Sequence, residues 1–283
     1  MDSTQKELVQ KYYQATHFDY KNLWTGEKDL AIHFGYYDDL AKKHKDAVMR
    51  LNAMLASYAK IKESDSVIDA GCGYGGSAMW LAENIGCSVT GITIVSFQAE
   101  MGMKSVQHRK LIQKVNLLVE DFSHTKFPNE SFDVYWALES IVHADNRHNV
   151  LNEAFRLLKP NGRVVIAEYT YRESPILSNV EKQYMQPWLS GWAMPQLLTP
   201  SEYIQQLTKA GFKNIKRYDI TKNVRPSLKR LKILCLLFLP GEKIIKFLKL
   251  FKKERIANFE GSLRQTKAFD SGLWQYSIFT AEK

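Results

Sequence analysis

Glu139 and His143 stand four residues apart where the run "SFDVYWALES" gives way to "IVHADN". The first run has the aromatic and β-branched content of a strand. A carboxyl and an imidazole at the end of a strand can orient an acceptor and take its proton. Open α/β sheets gather their ligands at such carboxyl ends. A second cluster is "DAGCGYGG", residues 69–76, between the strand-like "SDSVI" and the helical "SAMWLAENI". Gly71, Gly73 and Gly76 satisfy the spacing G-x-G-x-x-G, and such a loop lets backbone approach a phosphate or nucleoside. A tight strand-to-helix turn would use the same residues.

The strands that follow decide between ligands. A dinucleotide site requires an acid at the end of the second strand, about 20 residues beyond the loop. Here "CSVTGITI" puts Thr93 at that place, which disfavours NAD. The third strand, "NLLVEDF", ends in Asp121 and Phe122. Asp121 can accept from an exocyclic amino group while the Phe122 amide donates to a ring nitrogen, a pairing suited to adenine. Asp121 also fits a helix N-cap ahead of "SHTKF". Asp69 can meet an ammonium group or orient the loop.

Strand and helix patterns alternate through the middle of the chain, which predicts an α/β architecture. The 283 residues are 45% hydrophobic, enough to bury a core of one elaborated domain. The net charge of +9 looks at first like a nucleic-acid signature. Residues 221–255, however, hold eleven lysines and arginines against two glutamates, so the rest of the chain is neutral. A nucleic-acid partner would call for a basic face spread along a groove, and none is expected. The polar opening "MDSTQKELVQKYYQ" has no apolar signal-peptide core, and Cys72, Cys87 and Cys235 lack metal-ligand spacing. Both point to a cytoplasmic chain with reduced thiols and no metal site.

The ordered set "VIDAGCGYGG", "TGIT", "VEDF", "FDVYWALES" and "LNEAFRLLKPNGRVVIAEY" resembles the class I S-adenosylmethionine-dependent methyltransferases over about residues 60–220. The resemblance implies a Rossmann-like sheet of seven strands with the last antiparallel, Asn161-Gly162 as the turn into strand five, and "FKNIKRYDI" and "GLWQYSIFTAEK" as the final strands. Most of the superfamily has an acid at Thr93. The "GITIVSFQ" turn is similar to that of the tocopherol, sterol and cyclopropane-fatty-acid branch, where Thr93 and Gln98 would hold the ribose and methionyl end. The same resemblance makes Asp69, Gly71, Cys72, Gly73, Asp121 and Phe122 cofactor residues, with the Ala137–Leu138 backbone along the methionyl end. It also brings Tyr12, Tyr13, Tyr36 and Tyr37 over S-adenosylmethionine as a cover; alternatively these tyrosines pack helices. "WALESIVHADN" resembles the Glu/His pairing of the same branch. If the acceptor is an alkene carbon, Glu139 stabilises the carbocation and removes a proton; if it is an amine or phenol, Glu139 or His143 orients and deprotonates it.

The segment between strands five and six carries Tyr184, Met185, Trp188, Trp192 and Met194, an apolar wall expected to recognise a hydrophobic small molecule, or to pack a helical lid on the sheet. Tyr184, Trp188 and Trp192 are the expected substrate contacts. Beyond it, "ILCLLFL" is ended by Pro240-Gly241-Glu242 and is too short to span a bilayer. In "IIKFLKLF", Lys243, Lys246, Lys249 and Lys252 make a basic stripe beside an apolar face. Residues 229–253 are thus expected either to lie on an anionic membrane or to form a lid whose lysines face water. The basic segment also admits a diphosphate head. The expected organisation is a helical cap at 1–60, a cofactor-binding core at 61–170, a substrate lid at 171–211, and final strands at 212–283 interrupted by a basic amphipathic insertion at about 222–260.

Overall fold

The computed structural model describes residues 1–25, 30–173, 176–247 and 252–283, and for 238–247 the backbone alone. The chain opens with helix α1 (Ser3–Asp19), capped by Asp2, whose side chain accepts from the Gln5 amide at 2.7 Å. A π-helical turn (Tyr20–Trp24) and helix α2 (His44–Tyr58) complete the approach to the core. Strands and helices then alternate: β1 (Ser66–Ala70), α3 (Gly76–Asn84), β2 (Ser88–Thr93), α4 (Ser96–His108), β3 (Val115–Val119), β4 (Phe132–Leu138), α5 (Arg147–Leu157) and β5 (Leu158–Tyr171). Helices α6 (Asn179–Gly191) and α7 (Pro200–Lys209) lead to β6 (Lys213–Asp219). Helices α8 (Thr221–Phe247) and α9 (Lys253–Asp270) precede β7 (Trp274–Glu282).

The described strands form one seven-stranded sheet in the order β3-β2-β1-β4-β5-β7-β6, parallel except for β7, which runs against both its neighbours. Strand alternation sends successive side chains to opposite cores. Val67, Val134 and Trp136 face one layer with α2 and α3, whereas Ile68, Tyr135 and Ala137 face the other with α5 and α7. Because both faces are covered, these strands read as continuous apolar runs.

One local expectation needs correction. The turn expected at Asn161-Gly162 lies inside the extended run of β5. There Asn161 takes a left-handed φ of 63°, and the pairing with β4 shifts register between Phe132 and Val134. The apolar run ends at Pro240, but the helix that carries it does not: α8 has helical backbone through to Phe247. A proline removes one donor and kinks a helix, but the ladder on either side persists. The stripe of Lys243, Lys246, Lys249 and Lys252 falls largely outside the described residues. Among those described, no helix is long and apolar enough to cross a membrane.

Candidate active site

A cavity of about 280 Å³ lies over the carboxyl ends of β1, β2 and β4, beneath a roof of α1, the π-helical turn, α8 and α9. Its floor begins with the glycine loop. Gly71 and Gly73 have φ of 85° and 55°, conformations that cost a side chain dearly. A Cβ on Gly71 would stand 2.3 Å from the Ser140 Cβ. The Gly71 and Cys72 amides both donate to the Ile92 carbonyl, at 2.8 and 2.9 Å, which pins the loop to β2. Gly75, at φ 76° immediately before α3, has the left-handed backbone that the motif spacing had assigned no role, while Gly76 is already helical.

Asp69 closes this floor. It is buried, and its Oδ2 has no hydrogen-bond partner; burial alone pushes its carboxyl up to about 7. A buried polar atom without a partner is costly, and this oxygen is free to accept from a donor on a bound molecule. Thr93 and Gln98 are buried on the same wall, with the Thr93 hydroxyl donating to Gln98 Oε1 at 3.1 Å and accepting from the Val95 amide at 3.2 Å. Phe122, Leu138 and Tyr13 also line the cavity. The unpartnered carboxyl, the glycine loop and the apolar side walls fit the ammonium, backbone-hugging and adenine parts of S-adenosylmethionine. Cys72 stays a neutral thiol, since burial and the nearby Asp69 raise its pKa well above the ordinary value.

Several expected cofactor residues sit elsewhere. Asp121 does not line the cavity. Its carboxylate accepts from Lys6 at 2.7 Å, from the Met1 amine at 3.1 Å and from the Ser123 amide at 2.8 Å. Partial burial opposes its ionisation, yet these donors hold it below the usual range. Tyr36 lies off the wall, packed against the core with its amide bound to Ala47, and Ala137 faces the opposite core. Of the expected substrate contacts, Trp192 lines the cavity beside Met194. Trp188 is wholly buried in the core, and Tyr184 sits half-buried under the Lys267 ammonium.

Glu139 lines the cavity at the end of β4. It follows β4 with φ 51°, an uncommon conformation for a side-chain-bearing residue, and its amide donates to Ala167 at 2.9 Å. Three donors grip the carboxylate. The Phe34 amide (2.8 Å) and the Tyr276 hydroxyl (2.7 Å) reach Oε1, and the Tyr169 hydroxyl reaches Oε2. Tyr169 and Tyr276 are direct partners in the antiparallel β5–β7 pair, so one cross-strand pair delivers both hydroxyls. Burial raises the Glu139 carboxyl to about 7 against the pull of these hydrogen bonds.

His143 is buried in a short 3₁₀ turn, Ile141–His143. Its Nδ1 meets the Ala193 carbonyl at 3.2 Å, a contact that requires Nδ1–H, so Nε2 accepts from the Tyr13 hydroxyl at 3.1 Å. Burial pushes its pKa down to about 4, keeping it neutral. Two buried ionisable side chains clamp this turn. Glu168 accepts from the Val142 amide at 2.9 Å, and Arg147 donates to the Val142 carbonyl at 2.9 Å. Gln5 of α1 adds donors to the His143 and Ala193 carbonyls at 2.9 and 2.8 Å. Sequence reasoning missed Phe34, Tyr169, Tyr276, Glu168 and Arg147. For Glu168, Tyr169 and Tyr276 the signal was a polar side chain in an otherwise apolar strand, which does not say what it touches; Phe34, ahead of α2, and Arg147, at the start of α5, carried none.

A family profile described as a methyltransferase domain matches residues 68–166. The chain is 30% identical over 196 residues to the 27-O-demethylrifamycin SV methyltransferase of Amycolatopsis mediterranei, covering 69% of this chain and 71% of that protein. It is 27% identical over 234 residues to a probable chloroplastic tocopherol O-methyltransferase of Oryza sativa subsp. japonica, covering 78% of this chain and 64% of that one. Among solved structures, the [4+2]-cyclase SpnF superposes with a TM-score of 0.82 at 21% identity, covering 99% of this chain and 96% of that one, a likeness of fold. The chain belongs to the S-adenosylmethionine-dependent methyltransferases. Its cofactor is S-adenosylmethionine, and it is a small-molecule methyltransferase.

Proposed function

We propose that this enzyme methylates a carbon of a neutral, hydrophobic acceptor of isoprenoid, sterol-like or prenyl-aromatic kind, with Glu139 as the base. The carrying observation is Glu139 itself, a carboxyl gripped by three donors on the floor of a cavity walled by Tyr12, Tyr20, Trp24, Phe34 and Tyr169. S-adenosylmethionine supplies an electrophilic methyl group on a sulfonium. When alkene electrons form the new C–C bond to that methyl, the methyl–sulfur bond breaks with its electron pair left on sulfur as a neutral thioether, and the neighbouring carbon becomes a cation. Aromatic faces and the Glu139 carboxylate both favour that cation in a dry site. Glu139 then takes the adjacent proton, and the C–H electrons restore a double bond.

Among the described lining residues the cationic side chain is Arg255, which is paired with Asp19 at 2.8 Å. That arrangement favours a neutral acceptor over the diphosphate head that the charge of the segment admitted. The neutral His143, backed by Tyr13, supports a second reading in which a lipophilic hydroxyl or amine is the acceptor. Names of two relatives specify O-methyl transfer, which is consistent with it.

The test is transfer of labelled methyl from S-adenosylmethionine to sterols, prenylated quinols, isoprenoid alkenes and lipophilic amines, with the labelled atom located by NMR. Label on carbon, with Glu139→Gln slower by about 10²- to 10⁴-fold, is the expected result. Label on oxygen or nitrogen with full Glu139→Gln activity would replace it by the second reading.

A further inference from the structure

Helix α8 has two apolar faces. Val224, Leu228 and Cys235 are buried, and Leu231, Leu234 and Cys235 form part of the cavity wall. The opposite side is solvent-facing yet apolar at its distal end, where Ile233, Leu236 and Leu237 are 58%, 50% and 69% exposed. The same outward row carries Lys222, Arg225, Lys229 and Lys232, all exposed. The spacing 222, 225, 229, 232, 236 is that of one helical face. No acidic side chain interrupts this row among the described residues. Arg230, off the row, is turned inward to the Leu23 carbonyl at 2.8 Å and over the Trp24 ring.

Phe18 extends the pattern at the cavity itself. It belongs to the cavity wall and is nevertheless 60% exposed, so the cavity reaches the surface there. Arg255 of α9 lies over its ring at 5.5 Å. A rim of exposed apolar side chains beside a row of lysines and arginines would be a liability in water. It matches a surface offering acyl chains below and negative headgroups above.

We infer that the outward face of α8, Lys222 to Leu237, docks the enzyme on an anionic lipid surface, so that a lipophilic acceptor enters the cavity from the bilayer past Phe18. Lys222, Arg225, Lys229 and Lys232 meet the headgroups, while Ile233, Leu236 and Leu237 enter the interface. The inward face of the same helix then receives the acceptor along Leu231 and Leu234. The entry route rests on the hydrophobic-acceptor reading above; the docking does not.

Flotation of the full-length protein with phosphatidylcholine vesicles, with and without about one third phosphatidylserine, tests the docking without any methyl acceptor. The expected result is binding to the anionic vesicles that falls at high salt. Affinity should drop at least about tenfold in Lys222→Gln/Arg225→Gln/Lys229→Gln/Lys232→Gln, and likewise in Ile233→Ser/Leu236→Ser/Leu237→Ser. Thermal stabilisation by S-adenosylhomocysteine, retained in both variants, shows that each is folded. Equal or absent binding to the two vesicle types would overturn the proposal, as would either variant binding like the parent. A chain that sediments as a dimer without lipid, and becomes a monomer on Leu236→Ser/Leu237→Ser, would give this face to a second copy instead. None of these failures touches the methyl-transfer reading, which the acceptor panel judges separately.

Discussion

At the level of single residues, Glu139 combines two opposing influences, burial that favours the neutral acid and three donors that favour the carboxylate. With a pKa of about 7, its ionised fraction changes across the ordinary working range. A base must be ionised to accept a proton, so kcat/KM should rise with pH through about 7 and level off above it. Tyr276→Phe removes a hydrogen bond that favours the ionised form. Its profile should shift to higher pH by roughly one unit, the equivalent of a hydrogen bond to a charged group worth about 1.5 kcal/mol. A profile of labelled methyl transfer that keeps its midpoint in Tyr276→Phe would mean that another group titrates. Glu168 and Arg147 act differently, since they hold the Val142 peptide and position His143 without lining the cavity.

The elements that roof the cavity depend on a close crossing of α6 and α9. A Cβ on Gly191 would lie 2.2 Å from the Ala257 carbonyl oxygen, and one on Gly261 would lie 3.0 Å from that of Pro187. Because the opposing atoms are backbone, neither helix can yield by rotating a side chain. Gly191→Ala should therefore lower stability by about 1–3 kcal/mol, seen as an earlier urea midpoint with an unchanged slope. This crossing also fixes Trp192, whose indole N–H donates to the Ser262 hydroxyl at 3.2 Å across the two helices. A fully stable Gly191→Ala protein would show that α6 and α9 are free to separate.

For the whole molecule, burial of ionisable groups sets the pH dependence of folding. Asp69, Glu139 and Glu168 have folded pKa values of about 7, 7 and 8, all above the ordinary carboxyl value, through burial and, for Glu168, the neighbouring Glu139 charge. The folded state thus keeps protons that the unfolded chain has released, and stability falls as pH rises toward 8. His33, His44 and His143 have values lowered to about 4 by burial. Their contribution is present above about 6.5 and lost as pH falls toward 4. Between about 6.5 and 8 only the acids act, so the Tm of the ligand-free protein should decline, by about 2–4 °C per kcal/mol lost. Glu168→Gln should flatten the decline. A Tm that rises over this interval would contradict the burial of these three carboxyls.

The sequence by itself determined the alternation of strands and helices through the core, the glycine loop with Asp69, Thr93 and Glu139 at strand ends, and Gln98 and His143 in the segments just beyond them. These are local matters, because hydrophobic period, turn chemistry and motif spacing act over a few neighbouring residues. Only the tertiary structure decided what each group touches. Phe34, Tyr169 and Tyr276 lie 105, 30 and 137 positions from Glu139, and no local pattern specifies such a meeting. The place of Asp121 after β3 suggests an adenine contact but says nothing of Lys6, which α1 brings across that edge to 2.7 Å from its carboxylate. Trp188 and Trp192 stand one helical turn apart with ring centroids 6.2 Å apart, yet Trp188 is enclosed in the core while Trp192, just past the end of α6, reaches the cavity. A helix or strand shows its partners one face at a time, and which partner waits at each point along that face is settled only by packing.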